Sequence, residues 1–331
     1  MSRDQNEAVV SREGAWHQSK ISTLIDICAR QYGLEYVLKL PTGARPWSSV
    51  GTAYHAGCEL HENARLAGEA TPTYEQQLEV ALAHLEKDIA ELPADAWKHD
   101  QPDDLRVQVT AATYHFWHSK TKIEGQTIRE FIMEMTPVSI EGYFRVPLVD
   151  GTLPIGGWFD GLYQKKDGSY TLIDHKTAAS FSNWPLSGEG HRTQAAFYSA
   201  ALVASEDYPM ITDLIPMEYL IVRKATGTSR FEGSRIVSVV PDLADISLLG
   251  YRTREAQRIV ETEDYEPNPA STLCSAKFCP FYSQCEGARG DITKGNLWMP
   301  WPEVKKQVIG LDYNQDTVIE VNNENERKYN D

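Results

Sequence analysis

Hydrophobic and polar positions along the chain change period twice. From residue 19 to about 120 the apolar residues recur at helical spacing. SKISTLIDICARQYGLEY reads as a first helix, with Thr23 as its cap, Asp26 reaching back as a variant capping box, and Leu24, Cys28 and Tyr32 on one face. A Pro/Gly-containing connection, Pro41–Ser49, precedes a helix over Gly51–Gly68, and amphipathic helices follow over Thr73–Glu91 and Asp103–Lys120. From Pro137 the period falls to two. VSIEGYFRVPLV, IGGWFDGLYQ and SYTLIDHK read as strands, with turns at Asp150-Gly151 and Asp167-Gly168. A helix at about Arg192–Ser205, the strands MEYLIVRK and RIVSVV, and a long helix Asp242–Glu263 complete the pattern. Helices, then an antiparallel run, then alternation predict an α/β fold whose central sheet is flanked by helices.

At 331 residues the chain can bury a sizeable core, and no apolar run reaches bilayer-spanning length. The polar start MSRDQNEAVVSREGAW lacks the apolar core of a secretory signal, so a soluble, cytoplasmic protein is expected, with no membrane partner. The domain reading is an extension over 1–19, one domain over 20–295 with a helical insertion at about 60–135, and a C-terminal extension over 296–331. The last of these ends in the acid-leaning tail Asp312–Asp331. The formal net charge of −15 weighs against nucleic acid, which usually meets a basic face. A site that gathers carboxylates around a divalent cation also makes a protein acidic, so charge alone settles neither view.

Five cysteines, an odd number without a secretion signal, do not form a disulfide framework. Cys274, Cys279 and Cys285 fall within twelve residues and read as a metal knuckle over 274–285. A tetrahedral zinc or a cubane iron site needs a fourth ligand, and Cys28, Cys58 and the histidines are candidates; we assign Cys28. That choice ties the first helix to the C-terminal segment, and metal binding then adds to folding.

In GGWFDGLYQKKDGSYTLIDHK, period two sets Asp174 and Lys176 on one face. A two-residue Asp-Gly loop would pair Lys166 with Ser169 and send Asp160 to the other face. A three-residue loop, Lys166–Gly168 with Gly168 left-handed, pairs Lys165 with Ser169 and sets Asp160 opposite Asp174. Two adjacent carboxylates with a lysine beside them suit phosphodiester hydrolysis, because they can hold a hard cation while the ammonium meets developing charge.

The ordered set Thr23–Leu24–Cys28, Gly51–His55, Gly157–Asp160, Asp174–Lys176, Gln194–Tyr198 and Cys274–Cys279–Cys285 resembles the RecB-like PD-(D/E)xK exonucleases. It is similar above all to the CRISPR-associated and phage members and the AddB nuclease domain, which carry a 4Fe-4S cluster. The resemblance spans about residues 20 to 287. It implies a restriction-endonuclease-like mixed sheet with a helical insertion and an iron–sulfur staple. It implies metal ligation (Mg2+ or Mn2+) by His55, Asp160, Asp174 and the main-chain carbonyl of His175, catalysis by Asp160, Asp174 and Lys176, and a QxxxY helix bearing Gln194 and Tyr198. Cys28, Cys274, Cys279 and Cys285 would hold the cluster, with zinc as the alternative. The chain departs from the family in its CSAKFC interval, longer than the usual two intervening residues, which bears on iron against zinc. The implied substrate is DNA, single-stranded or with free ends, with a recombination or helicase protein as partner. The chain lacks a GxxxxGK[ST] loop and so is not itself a helicase motor. A catalytically silent subunit and a zinc-stabilised hydrolase of another substrate are the rival readings. Tyr114, Phe116, Trp117 and Trp184 are candidates for base stacking, although core packing is the usual role of such residues. Glu141, on the strand before Asp160, reads either as a further acidic contributor or as a solvated strand residue.

Overall fold

The computed structural model describes residues 14–42, 46–92, 97, 101–224, 232–275, 278–282, 285 and 300–309. The chain divides into two compact units, Met1–Gln18 with Gly43–Arg254, and Ser19–Thr42 with Glu255–Asp331. The tail at 312–331 lies outside the described residues. Among the described residues no helix is long and apolar enough to cross a membrane.

The first unit is built on a five-stranded sheet in the order β1 (Thr136–Val146), β2 (Ile155–Gln164), β3 (Tyr170–Ala178), β4 (Met217–Arg223), β5 (Ser234–Val239). The pairs β1/β2, β2/β3 and β4/β5 are antiparallel and β3/β4 is parallel. A parallel neighbour needs a crossover, which here carries the helix α7 (Arg192–Ala204). The remaining helices are α3 (Pro46–Leu66), α4 (Tyr74–Glu91), α5 (Pro102–His118) and α6 (Ile128–Met133), while α8 (Leu243–Thr262) is divided between the two units after Arg254.

Two apolar layers stack on one side of the sheet. Tyr54, Cys58, Phe116, Ile128 and Ile132 from α3, α5 and α6 pack on Tyr163, Ile173, Leu220 and Val222 of the strands. Behind them Val50 and Ala53 of α3 meet Ala81 and Leu85 of α4 and Leu105 and Val109 of α5. Gly57 permits that second contact, since a Cβ there would lie 3.1 Å from the Gln77 carbonyl oxygen.

Two expected elements are corrected and two helices are added. The connection Pro41–Ser49 is shorter than expected because α3 already begins at Pro46, where a proline pre-sets the first helical turn. Helix α6 was not expected, though Thr127 and Glu130 close a capping box around its start. The first helix is not continuous. In the second unit it is built as α1 (Gln18–Ser22), a π turn over Thr23–Ile27, α2 (Ala29–Tyr32) and a second π turn over Gly33–Val37. Thr23 is buried inside the winding rather than capping it, and Cys28 is extended at φ −170°, ψ 116°. The same unit holds α9 (Trp301–Ile309), also not expected, whose Trp301 ring packs edge-on to Tyr265.

Candidate active site

The site is set by the turn between β2 and β3. Lys165 N–H donates to the Ser169 carbonyl, Gly168 N–H to the Lys165 carbonyl, and Gly168 has φ +86°. This is the three-residue loop, and it fixes the register Gly161↔Ile173 through Gln164↔Tyr170. One step further that register sets Asp160 opposite Asp174, on the same face. The main-chain ladder ends at Gly161, however, and the His175 N–H donates to Asp160 Oδ2 at 2.7 Å. Asp160 therefore occupies the seam where the two strands part.

On the other edge of β2, the pairs Ile140↔Gly161 and Gly142↔Phe159 bracket Glu141 and Asp160. Glu141 is the one strand residue here with a left-handed backbone, φ +47°. Such a conformation is uncommon outside glycine and is held only by its surroundings. Glu141, Asp160 and Asp174 thus form a row across three strands.

Helix α3 brings His55 to this row, with Nδ1 3.3 Å from Asp160 Oδ2. One ligand atom each from His55, Glu141 and Asp160 lie within 4.8 Å of one another, close enough to share a metal ion. Asp174 is gripped from two sides: Lys176 Nζ lies 2.6 Å from its Oδ2, and Gln194 Nε2 on α7 donates to its Oδ1 at 3.3 Å. Tyr198, one turn along α7, packs edge-on to Phe144 and lies beside Gly157.

The electrostatics separate the two aspartates. Burial pushes the Asp174 carboxyl up to about 6; Lys176 pulls the other way and the Asp160 charge adds to the rise. Burial opposes ionisation of Asp160 too, but His55, Lys176, His175 and the His175 N–H together hold its carboxyl below the ordinary range. A site that confines several carboxylates in this way favours a cation among them. Burial pushes the His175 imidazole down to about 4, so the ring is neutral, packed against Tyr54, His55 and Phe116.

Sequence reasoning left Glu141 undecided; its place opposite Asp160 follows from the β1/β2 register, which length and spacing alone do not give. It also missed His191. Trp184 and His191 stack at 3.8 Å with rings 9° apart, and Tyr219 donates from its hydroxyl to the His191 carbonyl at 3.0 Å. Burial pushes the His191 imidazole down, the Asn183 carbonyl opposes this, and the Lys176 charge reinforces it. The loop before α7 is thereby placed next to the site lysine. Of the other aromatic candidates, Phe116 is fully buried, Trp117 lies under Arg129 and Tyr114 is half exposed.

In the second unit, Cys28, Cys274, Cys279 and Cys285 line one pocket together with Arg30 and Phe281. The Asn268 N–H donates to Cys28 Sγ at 3.4 Å, and Arg30 Nε donates to the Tyr265 carbonyl at 2.7 Å. Burial pushes the Cys285 thiol up to about 11; Cys28 adds to this, Arg30 opposes it, and Cys274 and Cys279 add further. Among the described residues no three of these sulfurs come within 4.8 Å of one another. Cys58 lies apart, buried in the first unit beside Gln77.

The family profile described as the PD-(D/E)XK nuclease superfamily matches residues 15–286. The chain belongs to this superfamily. Its sheet is the mixed one of that fold. Nucleases of this superfamily generally use Mg2+ or Mn2+, and the His55, Glu141 and Asp160 group suits such an ion. Among solved structures, the nuclease is similar to a protein named "Putative exonuclease" from Eubacterium rectale. The two share 12% identity at a TM-score of 0.50, over 86% of this chain and 92% of the other. A second, named LHK-Exo and solved with dAMP, shares 16% identity at a TM-score of 0.26, over 63% of this chain and 92% of that one. At 12% identity the likeness to the first is one of fold. No curated protein matches the chain.

Proposed function

We propose that this nuclease is a metal-dependent DNA exonuclease of the RecB-like group, acting on single strands or free ends. What carries the reading is the row Glu141, Asp160, Asp174 across three strands, closed by His55 at one end and Lys176 at the other. A bound Mg2+ or Mn2+ supplies a water of lowered pKa and offsets charge on the scissile phosphate. His55, Asp160, Asp174 and the His175 carbonyl would hold it, and the closeness of Glu141 to His55 and Asp160 supports counting it with them. A strand residue sends its N–H and C=O to the same side, so with its N–H on Asp160 the His175 carbonyl faces the seam.

Each further residue has its own task. Lys176 Nζ stands beside Asp174 and donates to a phosphoryl oxygen as negative charge develops there. Gln194 Nε2 fixes the Asp174 rotamer, which orients the ligand oxygen. Tyr198 lines the same helix face one turn away and presents a ring to the strand being cut.

The four cysteines would hold a 4Fe-4S cluster with a structural rather than a redox role, since hydrolysis moves no electron. One zinc with Zn–S bonds of about 2.3 Å draws its sulfurs to about 3.8 Å apart. Four thiols lining one pocket can be drawn around either a single zinc or a polynuclear cluster. Recombination or repair of DNA, alongside a helicase or recombination partner, is the setting that the motif order supports. A cytoplasmic location accords with cysteines proposed as cluster ligands rather than as disulfides.

Degradation of end-labelled DNA with Mg2+ or Mn2+ tests the activity. Wild type should release nucleotides from ends, and Asp174→Ala or Lys176→Ala should each slow this by at least about a thousandfold, the scale of a lost charge-stabilising group. Equal activity in either variant would remove the proposal.

A further inference from the structure

The sheet face that carries Asp174 and Lys176 carries two more charged side chains. The β3/β4 register pairs Lys176 with Ile221 and Ala178 with Arg223, and the β4/β5 register pairs Ile221 with Arg235. Paired residues share a face, so Arg223 and Arg235 lie on the face of the site lysine. Arg223 stands two residues beyond it, roughly 7 Å along the strand. Both arginines line a pocket of about 410 Å3 with Lys122, Ser180, Phe181 and Ser182, and with Glu232 as its one acid. Pockets of this volume suit a nucleotide-sized ligand. The pocket lies past the carboxyl ends of the parallel strands β3 and β4, where α/β sheets hold ligands.

Its groups are built in rather than scattered. Arg235 donates to the Trp184 carbonyl at 2.7 Å, pairs with Glu232 at 2.6 Å and lies over the Phe181 ring at 4.6 Å. It therefore spends its charge on holding the loop before α7. Lys122 is exposed and makes no ion pair among the described residues, and Arg223 donates to the Ala179 carbonyl at 3.4 Å. Three cations against one carboxylate, in a chain of net charge −15, make this an isolated basic concavity one short step from the site.

We propose that this pocket is a phosphate subsite of the cleaved strand. Lys122 and Arg223 would meet a phosphate one or two nucleotides from the scissile bond, the Ser180 and Ser182 hydroxyls would donate to its oxygens, and Phe181 would supply a face for the attached base. The inference rests on the DNA exonuclease reading and adds where the strand is anchored. It also accounts for how an acidic protein grips a polyanion. A local cluster beside the site replaces a basic face.

The test uses the full-length nuclease and its Lys122→Ala, Arg223→Gln and Lys122→Arg variants. Binding of a fluorescent single strand is read by anisotropy over a salt series in an Asp174→Ala background, and turnover is read in the active background. Lys122→Ala with Arg223→Gln should weaken binding about tenfold, lower the slope of log affinity against log salt by roughly 0.7 per cation, and raise KM more than it lowers kcat. Lys122→Arg should restore most of the loss. Strands with a 5′-phosphate, a 3′-phosphate or neither separate the two sources of the group. A loss confined to one phosphorylated strand marks an end anchor, and an equal loss marks the internal backbone. If wild type degrades DNA while the variants keep its affinity, salt slope and KM, the subsite is wrong and the exonuclease reading stands. If wild type does not degrade DNA, both fall.

Discussion

Glu62 is 2% exposed and has three partners: His61 Nδ1 at 3.1 Å, Arg65 at 2.9 Å and the Tyr163 hydroxyl, which donates to it. Arg65 continues the network into the carbonyls of Ile132 and Met135. Burial raises the Glu62 pKa, but the His61 contact and the charges around it outweigh burial and hold it below 4.5. The unfolded chain therefore takes up this proton first as pH falls. The stability that Glu62 contributes is full above about pH 4.5 and is lost below it, through the lower folded value. Glu62→Gln should cost about 3 kcal/mol at pH 7, the scale for breaking a buried ion pair, and the gap to wild type should close in acid. Urea unfolding from pH 7 to pH 3 measures this, and a gap that does not change with pH would refute it. Little of this network was visible in the sequence, where Glu62 was only one of several polar residues on a helix. Asp160, Asp174 and Lys176 stood out as candidates because metal-assisted chemistry restricts residue type more tightly than packing does. Glu141 was only half visible, because its φ of +47° and its place opposite Asp160 are products of pairing.

At the scale of elements, period-two alternation located the strands, and the Asp-Gly turn narrowed the hairpin to two registers without choosing between them. The choice depends on Gly168 at φ +86°, where a Cβ would meet nothing within 4 Å. That glycine serves backbone conformation only. Gly142 serves close approach instead: it faces Phe159 across β1 and β2, and a Cβ there would run into the ring. Gly142→Ala should therefore cost about 1–3 kcal/mol, the range for overpacking, and should slow cleavage because Glu141 is the adjoining residue. Adding Phe159→Leu should recover part of both, while Gly168→Ala should cost about 1 kcal/mol through strain alone. Thermal melts and DNA degradation rates on the four proteins decide it. Full stability in Gly142→Ala would show that the strands adjust freely there. The helix boundaries were less legible than the strands. A proline that reads as a breaker in the sequence opens α3, and the helical winding around Cys28 is interrupted at the residue taken to lie on its inward face.

At the scale of the whole molecule, residues 19–42 and 255–331 form one compact unit although some 210 residues separate them in the chain. Apolar periodicity is local and cannot report such a meeting; the cysteine count pointed to one, because a metal on three thiols near one end would need a fourth ligand from elsewhere. Cys28 is separated from Cys274 by nearly 250 residues, and a link that closes so long a loop removes much chain entropy from the unfolded state. The pocket wall between them is largely apolar, with Ile27, Leu34, Leu273 and Phe281 around the thiols. A cluster on the four sulfurs would add its binding energy to these apolar contacts and to the Arg30 hydrogen bond in holding the two segments together. Cys279→Ala should then lose visible iron–sulfur absorption and bound iron together and lower the melting temperature by several degrees. Cys58→Ala, in the other unit, should leave the absorption and the iron unchanged while losing its own packing. Protection of the Cys28 segment from limited proteolysis should fall in the first variant and persist in the second. Iron-free wild-type protein that melts with Cys279→Ala would mean that the thiols are packing residues and that this unit stands on its apolar contacts alone.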